Sequence, residues 1–505
     1  MKVHEFFHNA YYLSKDELLS FEKYLNTSYF SSMDSQYMVF KIIRRHQKHI
    51  KFKNYKELKD VIIKESKYSE TTVRKILSGL NDSYIEFTKI RSRKDNHFLA
   101  EYNYCTYLLK KGNYELLDSR MEELDKSIID IDSHDNDYFL KMFEIDMLKY
   151  DVLNTTEDKL KIKSKIIKQK HYTVESTKNL KVFTISKTVI NLVNFVFQRN
   201  SMDDYNEGLF PVDMVDLFRF IETPKFKMFN SHQKNTITLF YKLYKLFSNP
   251  LIDANYNEYK EYYYRIKDAY SEDFKKTQHS ILMNYCFLRQ RMSDKNNKFT
   301  EEVIDIQNEF VKNKYYVNDK TEYLNTAIYR NFILNCVKTE NKTKLLIFIN
   351  NHGDKLHPKE TEIMNIYGMA QYYYLNGEYE LSIINAELLI KAKSHYKYDI
   401  INLLIKANYE LNKFEKIREL LHNYKTYADK DKLLTKTDKE WYFKFVEYTH
   451  KFLNEKEKYI KKEKTYNLEH LLHKIENETD FSTKKWLREK LKTFISAHSK
   501  KQSKL

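Results

Sequence analysis

A chain of 505 residues holds either about three ordinary domains or one long solenoid whose repeats touch only their neighbours. With only 6 Gly and 4 Pro, turn chemistry is too sparse for many strands and hairpins, so the chain reads as all-α, with 42% hydrophobic residues for a core and 31% charged residues to cover it. The formal charge of +16 admits an acidic partner, nucleic acid or an anionic membrane surface, although abundant Lys, Asn, Ile and Tyr together are also what AT-rich coding DNA produces without selection for phosphate binding.

The same composition removes several kinds of chemistry. Gly79, Gly112, Gly208, Gly353, Gly368 and Gly377 are the only glycines, and no two have the spacing of a Walker A loop, a G-x-G-x-x-G turn or a G-x-S-x-G elbow. No enzyme and no cofactor are expected. Cys105, Cys286 and Cys336 form no C-x-x-C pair and read as reduced core residues. His46/His49 and His470/His473 lack a third ligand, and Asp130, Asp132, Asp135 and Asp137 around His134 lack the Gly and closing Glu of a calcium loop, so no metal site is assigned. Residues 1–8 lack the apolar run of a signal peptide, and the most apolar stretch, 182–197, is interrupted by Lys187, Asn191 and Asn194 and is too short to span a bilayer. A cytoplasmic protein without membrane insertion follows as the expectation; the oligomeric state is not legible.

Taken in order, residues 1–97 predict an N-terminal helical domain. Ser14-Lys15-Asp16-Glu17 is a capping box, and the helix it opens presents Leu18, Phe21 and Leu25 on one face. A second helix ends in the basic cluster Arg44, Arg45, His46, Lys48 and His49. Leu58, Val61 and Ile62 line a third, a polar turn ends at Ser69, and Thr72, Val73, Leu77 and Leu80 line a fourth. That last order resembles the second half of a helix-turn-helix, in a winged form. The resemblance implies a Ser-capped recognition helix with Arg74 and Lys75 outward and Arg91, Arg93 and Lys94 on a following arm, a set suited to DNA or RNA. The alternative is a helical hairpin whose basic residues are solvated. From the capping box through Tyr29-Phe30 to Gly112 the chain is also similar to the N-terminal region of a group of uncharacterised bacterial helical-repeat proteins, which implies no activity.

Residues 98–455 predict the solenoid. Tyr374-Leu375-Asn376-Gly377-Glu378-Tyr379-Glu380 is followed 35 residues later by Tyr409-Glu410-Leu411-Asn412-Lys413-Phe414-Glu415, each between helical segments. Gly377 allows the left-handed backbone that ends the incoming helix, Asn412 takes its place in the second copy, and Ala370, Ser382, Ala386 and Ala407 keep a small-residue face. A third match lies upstream at Cys105, Leu108, Leu109 and Gly112-Asn113-Tyr114-Glu115. This order resembles the tetratricopeptide repeat (TPR), which implies a TPR-like α-solenoid of stacked helical hairpins. The stretch 208–250, punctuated by Gly208, Pro211, Pro224 and Pro250, predicts a break in the stack. The runs Tyr262-Tyr263-Tyr264 and Tyr372-Tyr373-Tyr374 wrap around their helices and serve either as packing or as groove anchors.

Residues 456–505 predict capping helices, with Leu468, Leu471, Leu472 and Ile475, then Trp486, Leu487, Leu491 and Phe494 as their apolar faces, and a basic tail. Its final Ser503-Lys504-Leu505 matches a peroxisomal address, a signal with meaning only in a eukaryote. The functional expectation is a protein-protein interaction adaptor or scaffold that binds a partner peptide or helix in the solenoid groove, through Tyr372, Tyr374, Asn402 and Asn408. The alternative is a nucleic-acid-binding regulator that uses Arg74, Lys75, Arg91, Arg93 and Lys94, with the solenoid as sensor.

Overall fold

The structure is a computed structural model, and it describes residues 5–11, 13–27, 34–47, 54–129, 136–155, 162–199, 215–292, 297–317, 321–391, 396–432, 434, 436–461, 468–478 and 483–502. Among these the regular structure is helical, and no strand is present apart from an isolated bridge between Leu324 and Leu356. The chain divides into two compact units, residues 1–131 with 144–173, and residues 132–143 with 174–505. The expected boundaries at 97 and 455 do not coincide with this division: the hairpin after residue 97 belongs with the first unit, and the C-terminal helices belong with the second.

In the first unit, α1 (Glu5–Tyr11), α2 (Lys15–Leu25), α3 (Asp34–Arg45), α4 (Tyr55–Ser66) and α5 (Glu70–Asp95) enclose a core of Phe6, Phe21, Phe40, Ile43, Ile62 and Leu77. The capping box forms as the sequence predicts: Ser14 Oγ accepts from the Glu17 amide at 3.2 Å, and the Glu17 carboxylate accepts from the Ser14 amide at 2.8 Å. Lys67 holds the left-handed turn before α5 (φ 59°), Ser69 caps α5 by accepting from the Thr72 amide, and Val73, Leu77 and Leu80 are buried.

Among the described residues no wing follows Leu80. Instead of ending after Leu80, α5 runs 26 residues without interruption to Asp95, so Arg91, Arg93 and Lys94 belong to the same helix and not to a following arm. The polar run Asn81-Asp82-Ser83 lies inside this helix, although such side chains compete for nearby backbone. Here they find tertiary partners: Asn81 Oδ1 accepts from Asn9 at 2.9 Å, and Ser83 donates to Gln36 Oε1 at 2.8 Å. The unit continues with the hairpin α6 (His97–Lys111) and α7 (Tyr114–Ile129). Next come α8 (Asn136–Thr155) and α9 (Ile162–Arg199). Among the described residues α9 is the one helix long and apolar enough to cross a membrane, and its Val182, Ile185, Val189 and Val193 are wholly buried in the core of the second unit.

The second unit adds α10 (Val215–Phe218), α11 (Ser231–Ser248), α12 (Asp253–Ile266), α13 (Glu272–Met292), α14 (Lys298–Lys312), α15 (Thr326–Lys338), α16 (Lys342–His352), α17 (Pro358–Leu375), α18 (Tyr379–Lys391), α19 (Lys397–Glu410), α20 (Phe414–Lys430), α21 (Lys436–Ile460), α22 (Leu468–Asn477) and α23 (Lys484–Gln502). It is an all-α helical solenoid in which each helix from α13 onward packs on its neighbour in sequence, and α15 on α17 and α17 on α19 besides. Of the expected break, Gly208 and Pro211 lie outside the described residues. Pro224 opens a short 3-10 turn, Pro250 follows the end of α11, and α11 between them is a regular helix with Ile237, Phe240 and Leu243 buried.

One turn recurs. Gly377 (φ 83°), Asn412 (φ 56°) and Gly112 (φ 70°) are all left-handed. The amide that follows the left-handed residue then reaches back five residues, Glu378 to the Tyr373 carbonyl, Lys413 to Asn408 and Asn113 to Leu108, at 2.9–3.1 Å. The sequence reading located these three and missed two more, at Glu340 (φ 57°) and Lys314 (φ 55°), where Asn341 reaches Cys336 and Tyr315 reaches Phe310 in the same way. Between α17 and α18 the small residues allow close approach, and buried Ser382 donates to the Ala370 carbonyl at 2.8 Å. Serial hairpins of 35 to 37 residues therefore stack from Thr326 onward, with turns at 340, 377 and 412.

Candidate functional site

The inner faces of α15, α17 and α19, continued by α21, line a cavity of about 1050 Å³ in the second unit. Helical spacing makes the lining. Asp399, Asn402, Lys406 and Glu410 recur every three or four residues along α19, as do Arg330, Leu334 and Lys338 along α15, so each set forms one stripe. Gln371, Tyr374 and Leu375 come from α17, and Trp441 and Tyr442 from α21. Asn284, Phe287 and Gln290 of α13 supply the remaining wall, and the start of α23, from Thr483 to Lys490, folds across the opening.

A carboxamide projects from every inner helix up to α19: Asn331 and Asn335 on α15, Gln371 on α17 and Asn402 on α19. Asn335 accepts from Gln290 at 3.3 Å. Ion pairs pin the floor. Arg330 Nη2 donates to Asp399 Oδ1 at 2.8 Å, Arg330 Nε donates to the other carboxylate oxygen, and the Tyr367 hydroxyl donates to that second oxygen at 3.1 Å. This joins α15 to α19 across α17. Burial lowers the Arg330 pKa, but the hydrogen bonds and charge of Asp399 outweigh it, and the guanidinium is held more firmly protonated than in water.

Helix α23 is fastened by packing and charge. Trp486 meets Tyr409 edge-on with ring centres 5.4 Å apart, Lys490 pairs with Glu410 at 2.6 Å, and Lys485 donates to the Lys338 carbonyl at 3.3 Å. Burial, then the negative charge of Glu410, pushes the Tyr374 phenol above its ordinary range. Lys406 has the opposite problem: burial in this cavity pulls its ammonium down to about 8, and Asp399 and Glu489 only partly counter it. A second cavity of about 500 Å³, mostly apolar, lies among α18, α19 and α20, with Lys397 over the face of Tyr427 at its rim.

Of the four groove residues read from the sequence, Tyr374 and Asn402 line the large cavity. Tyr372, one residue pair earlier on α17, packs against the core, and Asn408 is buried with its amide donating to the Leu404 carbonyl at 2.8 Å. Arg330, Asp399 and Lys406 were missed. The signal for Lys406 was available, because it lies four residues after Asn402 on the same stripe.

Three of the five nucleic-acid candidates have described side chains. Arg74 and Arg91 lie 17 residues apart on α5, roughly 25 Å along its axis and about 100° apart around it. Arg74 donates to Glu70 at 2.9 Å, Arg91 is 3.6 Å from Glu17, and Lys75 is exposed. The side chains of Arg93 and Lys94 lie outside the described residues, as do His49, Asp132, His134 and Ser503-Lys504-Leu505. His46 is bound to Glu65 at 2.6 Å, and His473 lies 3.1 Å from Asn477.

Fold and groove together define a helical-repeat protein with a concave, aromatic and amide-lined cavity. Compared with protein-family models, with curated proteins and with solved structures, the chain matches none.

Proposed function

We propose that this chain is a TPR-like adaptor that holds an extended peptide of a partner protein across the inner helices α15, α17, α19 and α21. The observation that supports the reading most is the series of carboxamides on consecutive inner helices. A carboxamide carries one acceptor and a pair of donors, which matches the alternating C=O and N–H of an extended backbone, and aromatic rings beside it suit the side chains. Four helices at roughly 9–10 Å spacing span about 27–30 Å, the length of eight or nine extended residues.

The test is affinity selection from a pooled library of random nonapeptides on the immobilised full chain, followed by calorimetry with a recovered sequence. Asn331→Ala and Asn402→Ala together should weaken that peptide about tenfold or more without changing the melting temperature by over a degree or two. A library from which nothing is enriched refutes the reading. The second reading, a nucleic-acid-binding regulator, draws on the +16 charge and on exposed Lys75 beside Arg74. It requires salt-sensitive binding of DNA or RNA that disappears on charge reversal at those two positions.

A further inference from the structure

The cations that line the large cavity differ in one respect. Arg330 is engaged by Asp399, Lys490 by Glu410, Lys342 by Asn376 Oδ1 at 3.2 Å, Lys484 by the Glu478 carbonyl at 2.6 Å, and Lys485 by the Lys338 carbonyl. Lys338 is engaged as well. Lys406 has neither a hydrogen bond nor an ion pair among the described residues, although it stands midway along the α19 stripe between Asn402 and Glu410. Lys406 is half-buried, and an ammonium held between cavity walls with no anion in contact leaves a place for one. Its neighbours could have supplied a counter-ion, yet Asp399 is turned to Arg330 and Tyr367, and Glu410 to Lys490, while Glu489 of α23 acts on Lys406 only through space, with no ion pair between them. The cavity is also biased toward anions, with seven basic side chains against four acidic ones.

We propose that Lys406 is the seat of a carboxylate carried by the bound peptide, so that the groove selects acidic ligands, with Asn402 one turn away to orient the peptide unit beside that group. The inference rests on the peptide-groove reading and adds the ligand's chemistry to it. The carboxylate comes either from an Asp or Glu side chain or from the peptide's C-terminus, and both would make the same charge-assisted bonds to an ammonium. Burial supports this seat, since an anion beside Lys406 would raise an ammonium that the cavity walls hold down near 8.

Three nonapeptide libraries separate the cases: one free at the C-terminus and lacking Asp and Glu, one amidated and containing them, and one amidated and lacking them. Each is passed over the wild-type chain and over Lys406→Met. Enrichment from the first or second library that the substitution reduces by ~10–100-fold is the expected result, and the library concerned names the source of the carboxylate. Equal enrichment from the third library, or an acidic preference that Lys406→Met leaves intact, overturns the proposal while the groove reading stands. Enrichment from none overturns both. The substituted chain removes an unpartnered charge and should melt no lower than the wild type, which separates lost recognition from lost folding.

Discussion

The pair Arg330–Asp399 makes the strongest single claim about what holds the groove open in its present form. Asp399→Ala would leave a guanidinium whose side chain is 29% exposed facing the cavity, and a fully buried Tyr367 hydroxyl without its acceptor. Breaking a buried ion pair from one side costs about 3–5 kcal/mol. Partial exposure of Arg330 reduces that share to roughly 2–3 kcal/mol, and the lost tyrosine bond adds about 1 kcal/mol. Urea unfolding should therefore place Asp399→Ala about 3–4 kcal/mol below the wild type, with hydrogen exchange faster in α15 and α19 than in the first unit, since contacts in a solenoid are local. Removing both charges, Arg330→Met with Asp399→Ala, should recover most of the loss, giving a coupling of about 2 kcal/mol in the double-mutant cycle. A single-substitution cost under ~0.5 kcal/mol, or strict additivity, would refute the view that the two charges hold α15 and α19 together across α17.

Lys406→Met should stabilise the chain at pH 7. The native ammonium titrates near 8, below an unfolded lysine near ~10.4, so between those values the unfolded chain holds more protons and wild-type stability rises with pH. The advantage of Lys406→Met, about 1–3 kcal/mol at pH 7 after allowing for water in the cavity, should shrink toward zero by pH ~10.5, and urea midpoints across that range that run parallel would contradict it. Glu340→Gly should raise the melting temperature, because Glu340 holds a left-handed backbone (φ 57°) that costs a non-glycine residue about 1 kcal/mol, while Gly377→Ala (φ 83°) should lower it by a similar energy. Trp486→Ala removes the ring that meets Tyr409 and Phe445. It should loosen α23 by about 3 kcal/mol, visible as faster hydrogen exchange confined to that helix and the inner stripe of α19.

The turns show why some of this was legible and some was not. Gly112, Gly377 and Asn412 announce a left-handed backbone because few other residues adopt it readily, and from them follow the hairpins, their period and the solenoid. Glu340 and Lys314 adopt the same conformation without any such sign, because tertiary packing on both flanks outweighs about 1 kcal/mol of local preference, and so the hairpin that carries Arg330 stayed hidden. Helix α5 is the converse case: the resemblance to a helix-turn-helix put Arg91, Arg93 and Lys94 on a following arm, but the helix continues through Asn81 and Ser83, which bond to Asn9 and Gln36, 72 and 47 residues away. Groove residues demand more than a turn, since they depend on the rotation of each helix: two positions apart on α17, about 200° of arc, Tyr374 lines the cavity and Tyr372 does not, although both rest against the core. Repeat spacing identifies the helices that line a groove, whereas their facing is settled by contacts such as Arg330 to Asp399 across 69 residues, or Lys485 to Asn297 across 188. Those contacts exist only once the stack has closed, and for that reason the place of Lys406 on the α19 stripe was legible in the sequence, whereas its standing as the one cavity-lining cation without a partner among the described residues was not.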